Sequence, residues 1–268
     1  MTARGGEPGT EPGPGREPVP GREPRPQLGP GSVPRAGTAA LLTLAAVCAV
    51  LFAAAAVTVS VRHGSPLAPE RDTVHWATAH HGEPVRSLAR ALTATGTGLV
   101  PYLMAVLAGL LAGRGATGRL RAVTCTVVVL AVGQAIRYGL MELLARARPP
   151  AAYWAGHATG YAFPSGHATT SALAAGLLAW GLAHRCGPAV ARTWCGVLAL
   201  WAAGVGLTRV YLGVHWLGDV VGGWLLAATL LTLALLLAPT AFRRRAPRAH
   251  AGVVQPGAAR SGDEHFHE

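Results

Sequence analysis

The stretch Arg209-Val210-Tyr211-Leu212-Gly213-Val214-His215-Trp216-Leu217-Gly218-Asp219 places three ionisable side chains at the start of an otherwise apolar segment. If the segment is helical from about residue 214, His215 and Asp219 are four residues apart and share one helical face. The carboxylate then holds one imidazole nitrogen and leaves the other free for nucleophilic or acid–base chemistry. Gly213 supplies a turn that directs Arg209 back to the same place. The stretch predicts a charged site at the end of an apolar helix.

Two further polar clusters lie at the ends of other apolar runs. Pro164-Ser165-Gly166-His167 opens one run, and Arg148-Pro149-Pro150 follows another. The start of a helix presents free backbone amides, which bind phosphate oxygens together with hydroxyl and Arg side chains. Two His, two Arg, one Asp and a Ser-Gly turn therefore predict an anion-binding site.

The composition indicates that this site belongs to a membrane protein. Of the 268 residues, 51% are hydrophobic and 13% are charged, whereas an average soluble domain has about 25% charged residues. Apolar runs of about 20 residues, long enough to cross a bilayer core, recur along the chain. We therefore predict an all-α polytopic membrane protein with six transmembrane helices, at about residues 37–61, 93–112, 122–144, 165–183, 193–208 and 214–238.

The two ends of the chain differ from this membrane domain. Residues 1–36 are rich in Gly, Pro, Glu and Arg and have little to bury, so we expect a disordered tail. Residues 37–240 form the six-helix domain, and residues 241–268 form a second, basic polar tail. All 23 basic residues are Arg, and most lie in the tails or in loops on the side of the termini. The positive-inside rule then predicts cytoplasmic termini in a cell membrane, with the site at the outer face.

Other partners are not expected. Membrane topology explains the net charge of +11, so the charge does not indicate nucleic-acid binding. The four Cys fit no metal-ligand spacing, and His80-His81 lacks acidic or Cys partners, so we expect no metal or other cofactor. The sequence does not define the oligomeric state.

The motifs resemble those of the type 2 phosphatidic acid phosphatase superfamily. This superfamily includes membrane phosphatases of lipid phosphates and polyprenyl diphosphates, and soluble vanadium haloperoxidases. Its motifs are Lys-x6-Arg-Pro, Pro-Ser-Gly-His and Ser-Arg-x5-His-x3-Asp. The second stands here as Pro164-Ser165-Gly166-His167, and the third as Thr208-Arg209-x5-His215-x3-Asp219, with Thr in place of Ser.

The first motif departs from the family pattern. Arg148-Pro149 matches its end, but Met141 occupies the position of the Lys. Three alternatives follow: Arg137 reaches the phosphate in its place, Arg146 does so, or the protein works with one cation fewer.

The resemblance implies a metal-independent phosphatase that acts on a lipid phosphate. His215 would attack phosphorus to form a phosphohistidine, Asp219 would hold its tautomer, and His167 would protonate the leaving oxygen and then activate water. The residues that would bind the phosphate oxygens are Arg148, Ser165, Gly166 and Arg209, with Arg137 as the further candidate. Candidate substrates are phosphatidic acid, undecaprenyl diphosphate and phosphatidylglycerol phosphate, whose tails stay among the membrane lipids. Two other classes remain as alternatives: a vanadate-dependent haloperoxidase, and a non-catalytic lipid-phosphate binder or transporter.

Overall fold

The computed structural model describes residues 35–80 and 82–238, and every regular element in these ranges is helical. The α-helices within them are α1 (Arg35–Val61), α2 (Ala68–Ala79), α3 (Glu83–Ala94), α4 (Leu99–Ala112), α5 (Gly115–Leu144), α6 (Gly166–Arg185), α7 (Pro188–Tyr211) and α8 (Leu217–Leu237). A short 3-10 helix (Ala151–Tyr153) lies in the long loop before α6. The all-α prediction is confirmed. The predicted tails lie outside the described residues except for residues 35 and 36, and so does His81.

Four of the described helices, α1, α5, α7 and α8, are long and apolar enough to cross a membrane. A fifth span exists if α3 and α4 together make one, with a 48° bend between them. The bend falls on residues 95–98, Thr-Gly-Thr-Gly, where Gly98 has a φ of 69°. α6 is 20 residues long, but it is less apolar than these spans. The six predicted spans correspond in position to helices, but six membrane crossings are not confirmed.

α6 is the central helix of the described bundle. It packs against α4, α5, α7 and α8, and its buried face consists of Ala, Gly, Ser, Thr and Leu. Helices that meet other helices in a membrane favour small residues, since small residues allow the backbones to approach closely. The Gly, Ser and Thr residues of this face allow such contacts, and they also lower the apolarity of α6.

Close contacts between these helices depend on glycine. A methyl group at Gly181 of α6 would meet the backbone of Ala108 in α4. A methyl group at Gly109 would meet the backbone of Val123, where α4 crosses α5. Lipid tails cover apolar surface as well as side chains do, so close van der Waals packing of this kind holds membrane helices together.

The connecting segments bring several helix ends to one side of the bundle. α7 ends at Tyr211, and Gly213, with a φ of 70°, turns the chain into α8. Positive φ costs glycine little, and the turn predicted at this residue is confirmed. The N–H of Ser165 donates to the backbone oxygen of Asp219 at 2.9 Å, which joins the starts of α6 and α8. The predicted polar clusters therefore meet at one end of the bundle.

Candidate active site

His215 lies in the turn that precedes α8. Because α8 begins at Leu217, the prediction that His215 and Asp219 share one helical face is wrong. Asp219 lies in the first turn of α8, and its Oδ2 accepts a hydrogen bond from the N–H of Trp216 at 2.9 Å, which caps the helix. The same oxygen lies 3.3 Å from His215 Nδ1. The expected contact between imidazole and carboxylate is present, but a helix cap creates it.

Contacts on both ring nitrogens define the tautomer of His215. Nδ1 faces the Asp219 carboxylate, which only accepts hydrogen bonds, so Nδ1 carries the proton. Nε2 lies 2.9 Å from Arg148 Nη1, and a guanidinium only donates, so Nε2 is the acceptor. The lone pair on Nε2 is what nucleophilic attack requires.

The surroundings of His215 keep it neutral. Its side chain is 2% exposed, and this burial lowers the pKa of His215 to about 4. Asp219 opposes the shift, whereas the positive charges of Arg148 and Arg209 add to it. The imidazole is therefore neutral near pH 7, with a proton on Nδ1 and a free lone pair on Nε2, and it is able to act as a nucleophile.

Arg146 is bound by two carboxylates. Its Nη1 donates to Asp219 Oδ1 at 2.6 Å, and its Nη2 donates to Glu70 Oε2 at 2.8 Å. Burial lowers the pKa of Arg146, but Asp219 and Glu70 outweigh burial and the net shift is upward. These contacts argue against Arg146 as the replacement for the motif Lys. Sequence reasoning misses Glu70, which lies 76 residues before Arg146 and carries no motif signal.

His167 lies in the first turn of α6, which begins at Gly166 and has Ser165 as its N-cap residue. Its Nε2 is 3.4 Å from the hydroxyl of Thr97, in the bend between α3 and α4. Sequence reasoning also misses Thr97, because it lies outside the three motifs. The charged and titratable groups within electrostatic range of His167 are Arg209, His215, Arg148 and Arg137.

Three arginines at this end of α6 lack a carboxylate partner. In the described ranges, no carboxylate oxygen of Asp or Glu lies within 4.0 Å of a guanidinium nitrogen of Arg137, Arg148 or Arg209. Three buried donors here also have no hydrogen-bond partner: Arg137 Nε, Arg209 Nε and Ser165 Oγ. A buried polar group left unpaired costs about 1–3 kcal/mol. Unbalanced positive charge and unused donors together favour an anionic ligand.

Neutral oxygens hold two of these arginines in place. Arg148 donates to the backbone oxygens of Thr159, Gly160 and Val214 at 2.7, 2.9 and 2.9 Å. Arg209 donates to Thr93 Oγ1 and to the backbone oxygen of His157, both at 3.2 Å. Because these acceptors carry no charge, they hold both guanidinium groups in place without neutralising them.

Arg137 lies against the start of α6. A methyl group at Gly166 would be 3.3 Å from the guanidinium carbon of Arg137. One turn further along α5, Met141 occupies the Lys position of the first motif, and its sulfur lies 3.2 Å from Arg137 Nη1. The geometry therefore favours Arg137 over Arg146 as the cation that replaces the Lys, and its part in catalysis stays a prediction.

Comparison with known proteins adds independent information on this region. The family model described as the PAP2 superfamily matches residues 122–243. The match covers less than half of the 268 residues, and we call residues 122–243 the PAP2 region. Every residue predicted for the site lies inside this PAP2 region, whereas Glu70 and Thr97 precede it.

Individual relatives match over different lengths. Over 80 residues the chain is 41% identical to phosphatidylglycerophosphatase B of Escherichia coli (strain K12) and of Shigella flexneri, which is 30% of this chain and 30% of each relative. The chain thus spans less than a third of the length of these curated relatives. The crystal structure of a transmembrane PAP2 type phosphatidylglycerolphosphate phosphatase from Bacillus subtilis is similar, with a TM-score of 0.61 and 23% identity, over 71% of this chain and 94% of that one. This likeness shows a transmembrane PAP2 fold, so the protein is a membrane protein.

Proposed function

We propose that this protein is a membrane lipid phosphate phosphatase in which His215 forms a phosphohistidine. The observation that supports this most directly is the meeting of two histidines with three arginines that lack a carboxylate partner in the described residues. Phosphoryl transfer requires positioning and stabilisation of charge on the phosphate oxygens, and an oriented imidazole beside unbalanced cations supplies both. The names of the relatives, which are phosphatases of a phospholipid phosphate, support the same reaction.

Substrate binding uses the donors that the fold leaves without partners. Phosphate oxygens accept from Ser165 Oγ, from the N–H of Gly166 at the start of α6, and from the guanidinium groups of Arg137, Arg148 and Arg209. Arg148 Nη1, which contacts His215 Nε2, turns to an oxygen of the phosphate. Binding therefore frees the lone pair that attacks.

The reaction then proceeds in two displacements. Nε2 of His215 attacks phosphorus while His167 gives a proton to the leaving oxygen of the lipid alcohol, or of the lipid monophosphate for a diphosphate substrate. Asp219 keeps the proton on Nδ1 in place and stabilises the positive imidazole ring. His167 next takes a proton from water, which attacks the phosphohistidine and releases inorganic phosphate. The lipid thus leaves as an alcohol, or as a lipid monophosphate when the substrate is a diphosphate, and both histidines return to their starting forms.

We further propose six membrane crossings, with α6 as the central span and α3 and α4 as one broken span. The helix ends and short turns opposite the site carry arginines at positions 114, 119, 121, 185 and 192. Together with the Arg-rich tails, they support cytoplasmic termini and a site at the outer face. A phosphate in a lipid headgroup reaches such a site while its hydrocarbon tail stays in the bilayer.

The relatives' names make phosphatidylglycerol phosphate the first substrate to test, with phosphatidic acid and undecaprenyl diphosphate beside it. The purified full-length protein in detergent should release inorganic phosphate from at least one of these lipids, with or without EDTA. His215→Ala should abolish release, whereas His75→Ala, which changes an exposed histidine outside the site, should not. An acid-labile radioactive label should be trapped on the wild type and on His75→Ala but not on His215→Ala.

Three results would contradict the proposal. Binding of these lipids without turnover would favour a non-catalytic binder or transporter. Peroxide-dependent bromide oxidation with added vanadate, in the absence of phosphate release, would favour a haloperoxidase. A label that persists in His215→Ala would exclude this residue as the nucleophile.

A further inference from the structure

A buried ion pair joins α2 to the start of α8 behind the candidate nucleophile. The side chains of Glu70 and Arg146 are 7% and 3% exposed, and two hydrogen bonds of 3.2 and 2.8 Å connect them. Glu70 also accepts from the N–H of Leu67 at 2.7 Å and from the N–H of Gly218 at 3.0 Å. The carboxylate of Glu70 thus binds the ends of two helices as well as the guanidinium.

The pair contacts the catalytic candidates through Asp219. Arg146 Nη1 donates to Oδ1 of Asp219 at 2.6 Å, while Oδ2 of the same carboxylate faces His215 Nδ1. A continuous chain of contacts therefore runs from Glu70 through Arg146 and Asp219 to the ring of His215. Neither Glu70 nor Arg146 contacts the ring itself.

Burial of this pair is not explained by stability. Moving two charges out of water carries a large desolvation cost, and a buried pair is often no more stable than an apolar replacement. An apolar cluster would join α2 and α8 equally well. An apolar cluster would not supply a hydrogen-bond donor for Oδ1 of Asp219, as Arg146 does. It would also lack a carboxylate such as that of Glu70, whose negative charge balances the donor.

We propose that Glu70 and Arg146 form a positioning pair, which fixes the carboxylate of Asp219 and tunes how strongly it holds His215. The inference rests on the proposed function, because it assigns the pair a part in that reaction. Arg146 orients Asp219 and draws charge towards Oδ1, and Glu70 limits this effect by balancing Arg146. α2, which precedes the PAP2 region, thereby contributes to the site.

The inference is testable because Glu70 and Arg146 carry opposite charges. The groups that face His215 are Asp219 from α8, Arg148 from the loop after α5, Arg209 from α7 and His167 from α6. Against this fixed background, removing the charge of Arg146 should make His215 more basic, and removing the charge of Glu70 should make it less basic. Loss of packing alone would not produce opposite effects.

The experiment measures kcat/KM for phosphatidic acid in detergent micelles between about pH 2 and pH 8, in the full-length protein. The variants are Glu70→Gln, Arg146→Gln and the double variant, and the matched control is Glu83→Gln, which changes an exposed glutamate on α3. We expect the acid limb to move up by about one pH unit in Arg146→Gln and down by a similar amount in Glu70→Gln. The double variant, in which the two charge changes cancel, should have its limb near that of the wild type.

The split between kinetic constants gives a second readout. Since the pair does not contact the phosphate, each variant should lower kcat about ten- to a hundredfold and leave KM nearly unchanged. Glu83→Gln should change neither constant. Arg146→Gln leaves Glu70 buried without its partner. If that variant does not fold, Glu70→Gln provides the test, because Arg146 keeps its contact with Asp219 there and the acid limb should still move down.

Gly218→Ala tests the same pair without changing a charge. A methyl group at Gly218 would meet Glu70 Oε1, so this substitution should displace the carboxylate and lower kcat as Glu70→Gln does. The inference would be overturned if the acid limbs of Glu70→Gln and Arg146→Gln both stay at the wild-type pH. If only their melting temperatures fall, the pair stabilises the fold and does not act on His215. Wild-type protein that releases no phosphate from any lipid phosphate would instead refute the proposed function, and the positioning role would be refuted with it.

Discussion

The missing Lys of the first motif leads to a prediction about Arg137. In the structure its guanidinium lies against Gly166, where α6 begins, and contacts the sulfur of Met141, where the family motif has the Lys. Arg137 Nε is buried and unpaired. If Arg137 supplies the absent positive charge, Arg137→Met should slow phosphate release, and a Lys placed at position 141 should restore part of the rate.

The size of the effect follows from the composition of the site. Removing one donor from a site that stabilises developing negative charge usually costs about 10²- to 10³-fold in kcat. Arg148 and Arg209 remain in Arg137→Met, and Arg137 is only partly buried, so the lower end applies. We expect a loss of about a hundredfold in kcat/KM, or about 2.7 kcal/mol of transition-state stabilisation.

The recovery should be incomplete. Met141 is one turn of α5 beyond Arg137, a rise of about 6 Å, so a Lys there reaches the site from a different point. An ammonium group also lacks the planar fork with which Arg binds two oxygens at once. We expect Met141→Lys to recover about tenfold of the activity of Arg137→Met, which is about 1.4 kcal/mol.

The assay is steady-state phosphate release from phosphatidic acid micelles by the two variants and their parent. Arg121→Met is the matched control, because Arg121 is exposed on the same helix about 24 Å away. Its kcat/KM should equal that of the wild type. If Arg137→Met keeps full activity, Arg137 is not the replacement for the Lys, and the protein works with one cation fewer. If Met141→Lys lowers the activity of Arg137→Met further, the position of the site relative to α5 is not as the structure indicates.

Three further predictions concern pH and packing. Burial lowers the pKa of His215 to about 4, whereas its pKa in the unfolded chain is about 6.5. Between these two pH values the unfolded chain binds more protons than the folded chain. The free energy of unfolding should therefore decline as pH falls from about 6.5 to about 4. The acid limb of kcat/KM should lie in the lower part of the window, and a limb centred near pH 6.5 would contradict this. Gly213→Ala should lower the free energy of unfolding by about 2 kcal/mol or more and reduce activity, since a side chain at positive φ is strained and a methyl group would meet a neighbouring backbone oxygen. Gly181→Val should lower the thermal midpoint in detergent by pushing α6 away from Ala108, whereas Gly196→Val, which has open space around it, should have a smaller effect.

The sequence predicted the helical fold and the sites of turns because these depend on local properties. Apolar runs defined the main helices, and Gly213 marked the turn before α8. α6 shows the limit of this reasoning. Its small residues reflect contacts with four neighbouring helices. Hydropathy alone does not distinguish a helix at the centre of a membrane bundle from a helix of a soluble protein.

The candidate site could be predicted where the motifs define it, and not beyond them. The structure brings His167, His215 and the predicted arginines to the same end of the bundle, although their roles in catalysis stay predictions. Sequence reasoning placed His215 inside a helix, because spacing of four residues suggests a helical face. The cap at Trp216 gives the same contact from a turn. Partners that lie 70 or more residues away along the chain, Thr97 and Glu70, have no local signal at all.

The charged site lies near the ends of the helices, and this position suits the proposed lipid substrate. α5 has 30 residues, which gives a length of about 45 Å, whereas the hydrocarbon core of a bilayer is about 30 Å thick. Arg137 lies two turns before the end of α5, and Arg209 lies in the last turn of α7. A charge at the centre of a bilayer costs at least about 2.5–3.5 kcal/mol, whereas a charge near a helix end reaches the polar interface at a smaller cost. In the proposed orientation, the cations therefore lie at the depth of lipid headgroups, where the phosphate of the proposed lipid substrate meets them without leaving the membrane.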